Sequence, residues 1–224
     1  CLTPSNAQVA TVRERLRIPL YVLIRPRAGD FLYSDLECEV MLRDIESCAA
    51  LGCDGVVFGV LDAKGKVDMA RGRLLMAAAG AMAATFHRAF DMSVDPVQAL
   101  EDVIGLGCER VLTSGAQRSA VEGAALIRAS QAQAAAGRVT VMAGAGITTE
   151  NIAALAAATG VQEFHASAKR LLPSGMRQRR SALGEMATGE WRSDAAQVRA
   201  MVNVLTGVAA LAGQGGGRSP EGTT

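Results

Sequence analysis

The sequence predicts an α/β fold organised as a (β/α)8 TIM-type barrel, with a doubly wound open sheet as the alternative. Along its 224 residues, strand-like segments alternate with helical patterns. One local design also occurs three times, at 51–57, 106–112 and 159–164: a helix ends on glycine, a small apolar residue and a polar pair follow, and a strand begins. Repeated β–α units with such short returns indicate a parallel sheet.

Six segments are predicted to be strands: 19–26, 55–61, 84–91, 110–115, 139–146 and 163–168. A closed barrel of this type has eight strands, so we expect the chain to lack the first two. The prediction is therefore a single barrel domain at 1–212, truncated at its amino-terminal end. Two exposed parallel edges would result, and such edges favour self-association into a homo-oligomer or an aggregate. The Gly-rich, polar segment 213–224 is predicted to be a disordered tail.

Helices between these strands are predicted from their end signals. Ser34 and Glu37 form a capping box that begins one helix. Asp95 and Pro96 supply an N-cap and a first-turn proline for another, which runs through Ile104. Two further helices are predicted, at 149–160 and 194–211.

Composition excludes several classes of partner. The formal net charge of +1 gives no reason to expect nucleic acid or an anionic membrane. No apolar run reaches the ~18–20 residues that span a bilayer. The five cysteines form no CxxC pair, which favours reduced thiols and a cytoplasmic location. Since the chain begins at Cys1 rather than at methionine, we expect a further segment upstream.

Polar side chains share one face of several predicted strands. Strands that are covered by helices normally read as continuous apolar runs, so this alternation needs an explanation. If the large apolar residues pack on the helices, the polar residues point into the barrel near the carboxyl ends of the strands, where such barrels place their sites. A satisfied internal hydrogen-bond layer is the alternative. The polar set is Arg25, Arg27, Thr85, His87, Thr113, Glu163, His165 and Ser167.

The chemistry of this set points to acid–base or anion-binding work. His87 and His165 are candidate proton-transfer groups or metal ligands, and Asp91 is a candidate for orienting a ligand or for capping the following loop. Gly144 and Gly146 would let backbone amides approach an anion, since barrels commonly bind phosphate at the last two loops. Arg25 and Arg27 would grip a phosphate or carboxylate.

Several long motifs then identify a family. The sequence resembles the CutC family, named for copper homeostasis, over about residues 1–185. The resemblance implies a (β/α)8 barrel, a cytoplasmic location and copper handling through Cu(I) binding, but no established reaction. It also adds Asp30, Arg88 and Ser114 to the candidate ligand-binding residues. The motifs that carry it are LTPS at 2–5, IRPRAGDFLYS at 24–34, DGVVFG at 54–59, TFHRAFD at 85–91, LTSG at 112–115, AGAG at 143–146 and EFHASA at 163–168.

The sequence also departs from the family. Relatives carry two strands ahead of the LTPS motif, with a cysteine-containing segment, and a glycine is usual where Cys1 stands. The strongest thiol candidates for Cu(I) are therefore expected to be absent, and no metal ligand is assigned. Two functions result: a cytoplasmic copper-binding protein, or an enzyme acting on a small anionic or phosphorylated metabolite at the barrel mouth.

Overall fold

A computed structural model describes residues 1–135, 137–178 and 189–214, with side chains up to Gly207. Within these residues, six strands pair in parallel in the order β1 to β6. A doubly wound sheet would reverse its strand order part-way, so this sequential order excludes the alternative prediction. The strands are β1 Tyr21–Leu23, β2 Gly55–Phe58, β3 Ala83–Phe86, β4 Arg110–Thr113, β5 Thr140–Gly144 and β6 Glu163–His165.

Helices connect the strands on the outer side of the sheet. A short 3₁₀ helix, Arg88–Met92, follows β3, and a two-stranded antiparallel hairpin follows β6. The hairpin consists of β7, Lys169–Leu172, and β8, Glu190–Ser193. The α-helices are α1 Asn6–Arg15, α2 Asp35–Ala50, α3 Met69–Ala79, α4 Pro96–Leu106, α5 Ala124–Gln133, α6 Ile152–Thr159 and α7 Ala195–Gln214.

The sheet is curled into part of a barrel, as contacts between distant strands show. The Arg110 guanidinium of β4 lies 5.3 Å from the centre of the Tyr21 ring of β1 and also bonds to Glu163 of β6. Side chains of strands three apart can meet only if the sheet bends around a shared interior. The register puts Thr85 level with Arg110, and Gly144 level with His165, on this interior face.

The opposite face of the sheet packs against the helices. Val56, Phe58, Phe86 and Val111 lie on it and are fully buried. Burial of such side chains is the main favourable contribution to folding, at about 1.5–3 kcal/mol each. The interior face remains partly open, since Tyr21 and several neighbours are only half-buried. This difference places the accessible polar groups on the inner side.

The predicted helix signals are confirmed. The Ser34 hydroxyl accepts a hydrogen bond from the Glu37 amide at 3.3 Å, and the Glu37 carboxylate accepts one from the Ser34 amide at 2.7 Å. The Asp95 carboxylate caps α4 by accepting from the Val97 and Gln98 amides at 3.0 and 3.1 Å, with Pro96 in the first turn. The sequence prediction does not include α1, the 3₁₀ helix or the two strands of the hairpin, and it gives no bounds for α3 and α5.

The predicted strands are too long at their carboxyl ends. The third was expected to reach Asp91, but β3 ends at Phe86 and Asp91 lies in the 3₁₀ helix. The last was expected to reach Ala168, but β6 ends at His165. Both differences fall where the chain leaves the sheet for a loop that carries site residues.

Three further predictions concern self-association through the sheet edges, the end of the domain and the absence of a membrane-spanning segment. Among the described residues, β1 and β6 each pair with one neighbour, so self-association through these edges stays a prediction. The helix α7 runs to Gln214, two residues beyond the predicted domain end. Residues 215–224 lie outside the described residues, as does the predicted disorder there. Across the described ranges, the helices are all too short or too polar to cross a membrane.

Candidate functional site

A cavity of about 790 Å³ lies at the carboxyl ends of β5 and β6. Loops 145–150 and 166–168 form one side of it, and the hairpin and α7 form the other. Carboxyl ends of barrel strands are where enzymes of this architecture place their sites. The charged and aromatic lining residues are Arg88, Glu150, His165, Lys169 and Trp191.

His165 is placed in the cavity by the end of β6. It is level with Gly144 on β5, and a side chain at Gly144 would meet the Leu112 side chain at 2.6 Å and the His165 Cβ at 3.3 Å. The absence of that side chain therefore lets His165 approach the neighbouring strands. The imidazole is exposed, yet the surrounding walls lower its pKa by desolvation. At neutral pH the ring is mainly uncharged and can accept a proton.

Two loops beside His165 adopt unusual backbone conformations. Ala145 and Ala168 have φ of 81° and 41°, in the left-handed region that alanine rarely occupies, and Gly146 has φ of 73°. Such conformations cost of order 1–3 kcal/mol each for residues with a side chain and concentrate at binding sites. All three residues line the cavity. Their small side chains leave the backbone open to a ligand, as the sequence predicts for Gly146.

The cavity contains charges of both signs. The Lys169 ammonium lies 5.0 Å from the centre of the Trp191 ring, in a cation–π arrangement. Arg88 is partly neutralised by Asp91, to which its Nε donates at 2.7 Å. Glu150 supplies a negative charge at the rim. Lys169 is therefore the cation that is most available to an anionic ligand.

Asp91 holds the loop after β4 rather than facing the cavity. Its carboxylate accepts hydrogen bonds from the Thr113 hydroxyl at 2.5 Å and from the Ser114 hydroxyl and amide at 2.9 and 3.1 Å. It also accepts from the Ala116 amide at 3.1 Å and from Arg88. With its side chain only 6% exposed, the carboxylate is surrounded by donors. These contacts make Asp91 a cap of the loop after β4, whereas the sequence predicts a role in orienting a ligand or in capping the loop that follows Asp91 itself.

The expectation that Thr113 points into the barrel is wrong. The register puts Arg110 and Leu112 on the interior face, so Thr113 shares the helix side with Val111. Its hydroxyl is fully buried and bonds to Asp91. Ser114 takes part in the same network and also accepts a hydrogen bond from Arg88 at 2.7 Å. Both residues therefore position Arg88, which does line the cavity.

His87 lies apart from the cavity, buried directly after β3. Its Nδ1 accepts a hydrogen bond from the Ala89 amide at 3.0 Å, so the neutral ring carries its proton on Nε2. Burial, with a contribution from the Arg25 guanidinium, lowers the pKa of His87 to about 4. Its ring packs 5.0 Å from that of Phe31. At neutral pH His87 is thus a hydrogen-bond donor.

Arg27 and Asp30 organise the loop before α2. Arg27 pairs with Glu37 at 2.6 Å and with Asp30 at 2.9 Å, and it donates to the Leu32 carbonyl at 2.7 Å. Hydrogen bonds to Glu37 and Asp30 raise the pKa of Arg27, and burial opposes this effect. Neither residue lines the cavity. Arg27 and Asp30 thus make contacts within the loop and with the first turn of α2, and their ligand contacts stay a prediction.

The sequence pattern does not signal the interior network at Arg110. Burial opposes its charge, but hydrogen bonds with Glu163 raise its pKa. The Tyr21 hydroxyl donates to Glu109 at 3.0 Å beside it. This network fills the barrel below the cavity. Lys169 and Trp191 are also missed, because the hairpin that carries them has no recognisable sequence pattern.

Comparisons with known proteins agree on one family. The CutC family matches residues 1–170. A family protein CutC from Xanthomonas axonopodis pv. citri (strain 306) is 54% identical over 204 residues, which span 91% of this chain and 85% of the relative. A crystal structure from Streptococcus agalactiae, described as a candidate copper homeostasis protein CutC, is 31% identical, with a TM-score of 0.70.

That structural match covers 73% of this chain and 81% of the other. A structure described as an aldolase matches at a TM-score of 0.57 and 15% identity, covering 71% of this chain and 73% of that chain, and so shows the fold alone. The predicted fold class, a (β/α)8 barrel lacking strands, is confirmed by both matches. Of the predicted site residues, four line the cavity: Arg88, Gly146, His165 and Ser167.

Proposed function

Because this chain belongs to the CutC family, in which the Streptococcus agalactiae structure is described by copper homeostasis and by no reaction, we propose from the geometry that it acts on a small anionic or phosphorylated metabolite. The observation that carries this proposal is the cavity at the carboxyl ends of β5 and β6. It lies at the two loops where barrels of this architecture commonly bind phosphate. A cavity of about 790 Å³ has the size of a typical small-molecule site.

Each part of the cavity has a place in this proposal. Lys169 and the backbone around Gly146 hold the anionic group, because a point charge and free backbone amides are the usual phosphate ligands. Arg88, fixed by Asp91 and Ser114, adds a rigid donor. His165 accepts a proton from the bound molecule, since its lowered pKa keeps the ring uncharged at neutral pH.

Thermal unfolding in the presence of phosphorylated and carboxylated metabolites tests this proposal. A ligand that binds only the folded state stabilises it by about 2.7 kcal/mol at 100 times its Kd, so at least one compound is expected to raise the melting temperature. Lys169→Met should abolish that increase, because it removes the available cation. Lys64→Met, at an exposed turn outside the cavity, is the matched control. No stabilisation by any compound, or equal stabilisation of both variants, would contradict the proposal.

The thiols of this chain are poorly suited to bind copper as a cargo. Across the described ranges, no three or more His, Cys, Asp or Glu side chains converge in a way that could hold a metal ion. Cys48 and Cys53 are two thiols that lie close enough to affect each other's pKa. Burial raises the pKa of both thiols, that of Cys48 to about 12, and so opposes the thiolate form that binds Cu(I). Copper binding is therefore the second candidate.

Anaerobic titration with Cu(I) against a competing chelator distinguishes the two candidates. We expect no tight one-to-one site, and we expect the double variant Cys48→Ser, Cys53→Ser to bind Cu(I) as the wild type does. A stoichiometric site that the double variant loses would instead favour copper handling.

The free state of all five cysteines supports the predicted cytoplasmic location.

A further inference from the structure

Three buried hydrogen-bond donors lie unpaired near the carboxyl ends of β1 and β3. They are the Arg25 Nε, the Tyr33 hydroxyl and the His87 Nε2, none of which has a hydrogen-bond partner among the described residues. Tyr33 is 3% exposed and His87 is 6% exposed. A buried polar group without a partner costs about 1–3 kcal/mol. Three of them in one region therefore need a common explanation.

The three groups share one neighbourhood. The Phe31 ring is a shared neighbour: its centre lies 5.1 Å from the Arg25 guanidinium and 5.0 Å from the centre of the His87 ring. Arg25 lies close enough to Tyr33 and to His87 to affect the pKa of both. Its Nη2 donates to the Gly29 carbonyl at 2.7 Å, and its Nη1 to the Cys1 carbonyl at 3.4 Å. The Arg25 Nε–H therefore remains available to donate to another acceptor.

At neutral pH each of these groups carries a proton that it can donate to a ligand. The His87 Nε2 carries the ring proton because Nδ1 accepts from Ala89, and burial raises the pKa of Tyr33 and keeps its proton in place. Arg25 supplies the single positive charge. The other nearby cation, Arg27, is already neutralised by Glu37 and Asp30. The region thus offers one charge and three donors, all requiring acceptors.

We propose that Arg25, Tyr33 and His87 form a binding site for a carboxylate. A carboxylate is an acceptor-only group with one negative charge, which matches one guanidinium and two neutral donors. A phosphate dianion would leave one buried negative charge uncompensated, which is costly. None of the three residues lines the cavity between β5 and β6, so this site is independent of the proposed function.

The two histidines of the chain allow each site to be observed separately. In protein labelled with ¹⁵N-histidine, titration with sodium acetate is expected to shift the His87 Nε2 resonance and to leave His165 unchanged. Tyr33→Phe removes one donor to the charged ligand and should weaken acetate binding by about 10-fold. Tyr21→Phe, whose hydroxyl donates to Glu109 instead, is the matched control and should bind acetate like the wild type.

Two results would overturn this site: a His87 resonance that acetate does not move, or equal acetate affinity in Tyr33→Phe and the wild type. Thermal unfolding of Tyr33→Phe checks that its fold is intact, which is expected because the deleted hydroxyl has no partner among the described residues. A parallel titration with inorganic phosphate separates this site from the proposed function. A response of His165 to phosphate without a response of His87 to acetate would retain the cavity and reject the carboxylate site.

Discussion

Replacing Asp91 with alanine is expected to lower the free energy of unfolding by about 3–5 kcal/mol, as for other buried charge networks that lose one partner. Five donor groups on Arg88, Thr113, Ser114 and Ala116 now share this carboxylate. Without it, these donors are left unpaired, and most of them are shielded from water. Since single domains are stable by only about 5–15 kcal/mol, the loss is a large fraction of the total.

Urea denaturation measures this effect, and Asp95→Ala provides the control. Asp95 caps the exposed start of α4 by accepting from the Val97 and Gln98 amides, so its removal should cost only about 1 kcal/mol. Asp91→Asn keeps one oxygen acceptor and should fall between the two. An Asp91→Ala loss no larger than that of Asp95→Ala would show that the network does not stabilise the loop after β4.

The free energy of unfolding is expected to fall by about 3 kcal/mol through His87 alone as the pH drops from about 6.5 to about 4. The pKa of His87 is lowered from 6.5 to about 4 in the folded protein by burial and by Arg25. Between these values the unfolded chain binds a proton at His87 that the folded chain does not. The stability is therefore complete above pH 6.5 and is lost as the pH falls through this window.

Comparing the wild type with His87→Gln isolates this contribution from the titration of carboxylates. The difference between their unfolding free energies, measured in urea from pH 7.5 to pH 4, should change by most of the expected amount. His165→Gln should show a smaller change, because His165 is exposed. If the wild type and His87→Gln have parallel pH profiles, His87 is not held neutral in the folded protein.

Strand periodicity allowed the sequence to predict much of the barrel mouth. Alternate residues of a strand share a face, so the position of Arg25, His87 and His165 relative to their apolar neighbours indicated that they turn inward. The same reasoning failed for Thr113. A buried hydroxyl on the helix side of a strand has the same spacing as one on the interior side, and only the partner, Asp91, distinguishes them.

Contacts between distant segments could not be predicted from local patterns. Tyr33 lies in a loop, where no periodicity fixes the direction of a side chain, and its unpaired hydroxyl is visible only in three dimensions. Lys169 and Trp191 reach the cavity because β7 pairs with β8 across a gap in sequence. Arg110 finds Glu163 only because the sheet curls. Each of these depends on tertiary geometry rather than on spacing.

We propose that the carboxyl ends of the strands bind a small anion. A crystal structure of the protein with a compound that raises its melting temperature would show directly where the ligand lies. We predict that the anionic group lies against Lys169 and the loops after β5 and β6, with His165 within hydrogen-bond distance of the ligand. A ligand bound at the amino-terminal end of the sheet near Arg110, or on the outer surface of the helices, would contradict the claim.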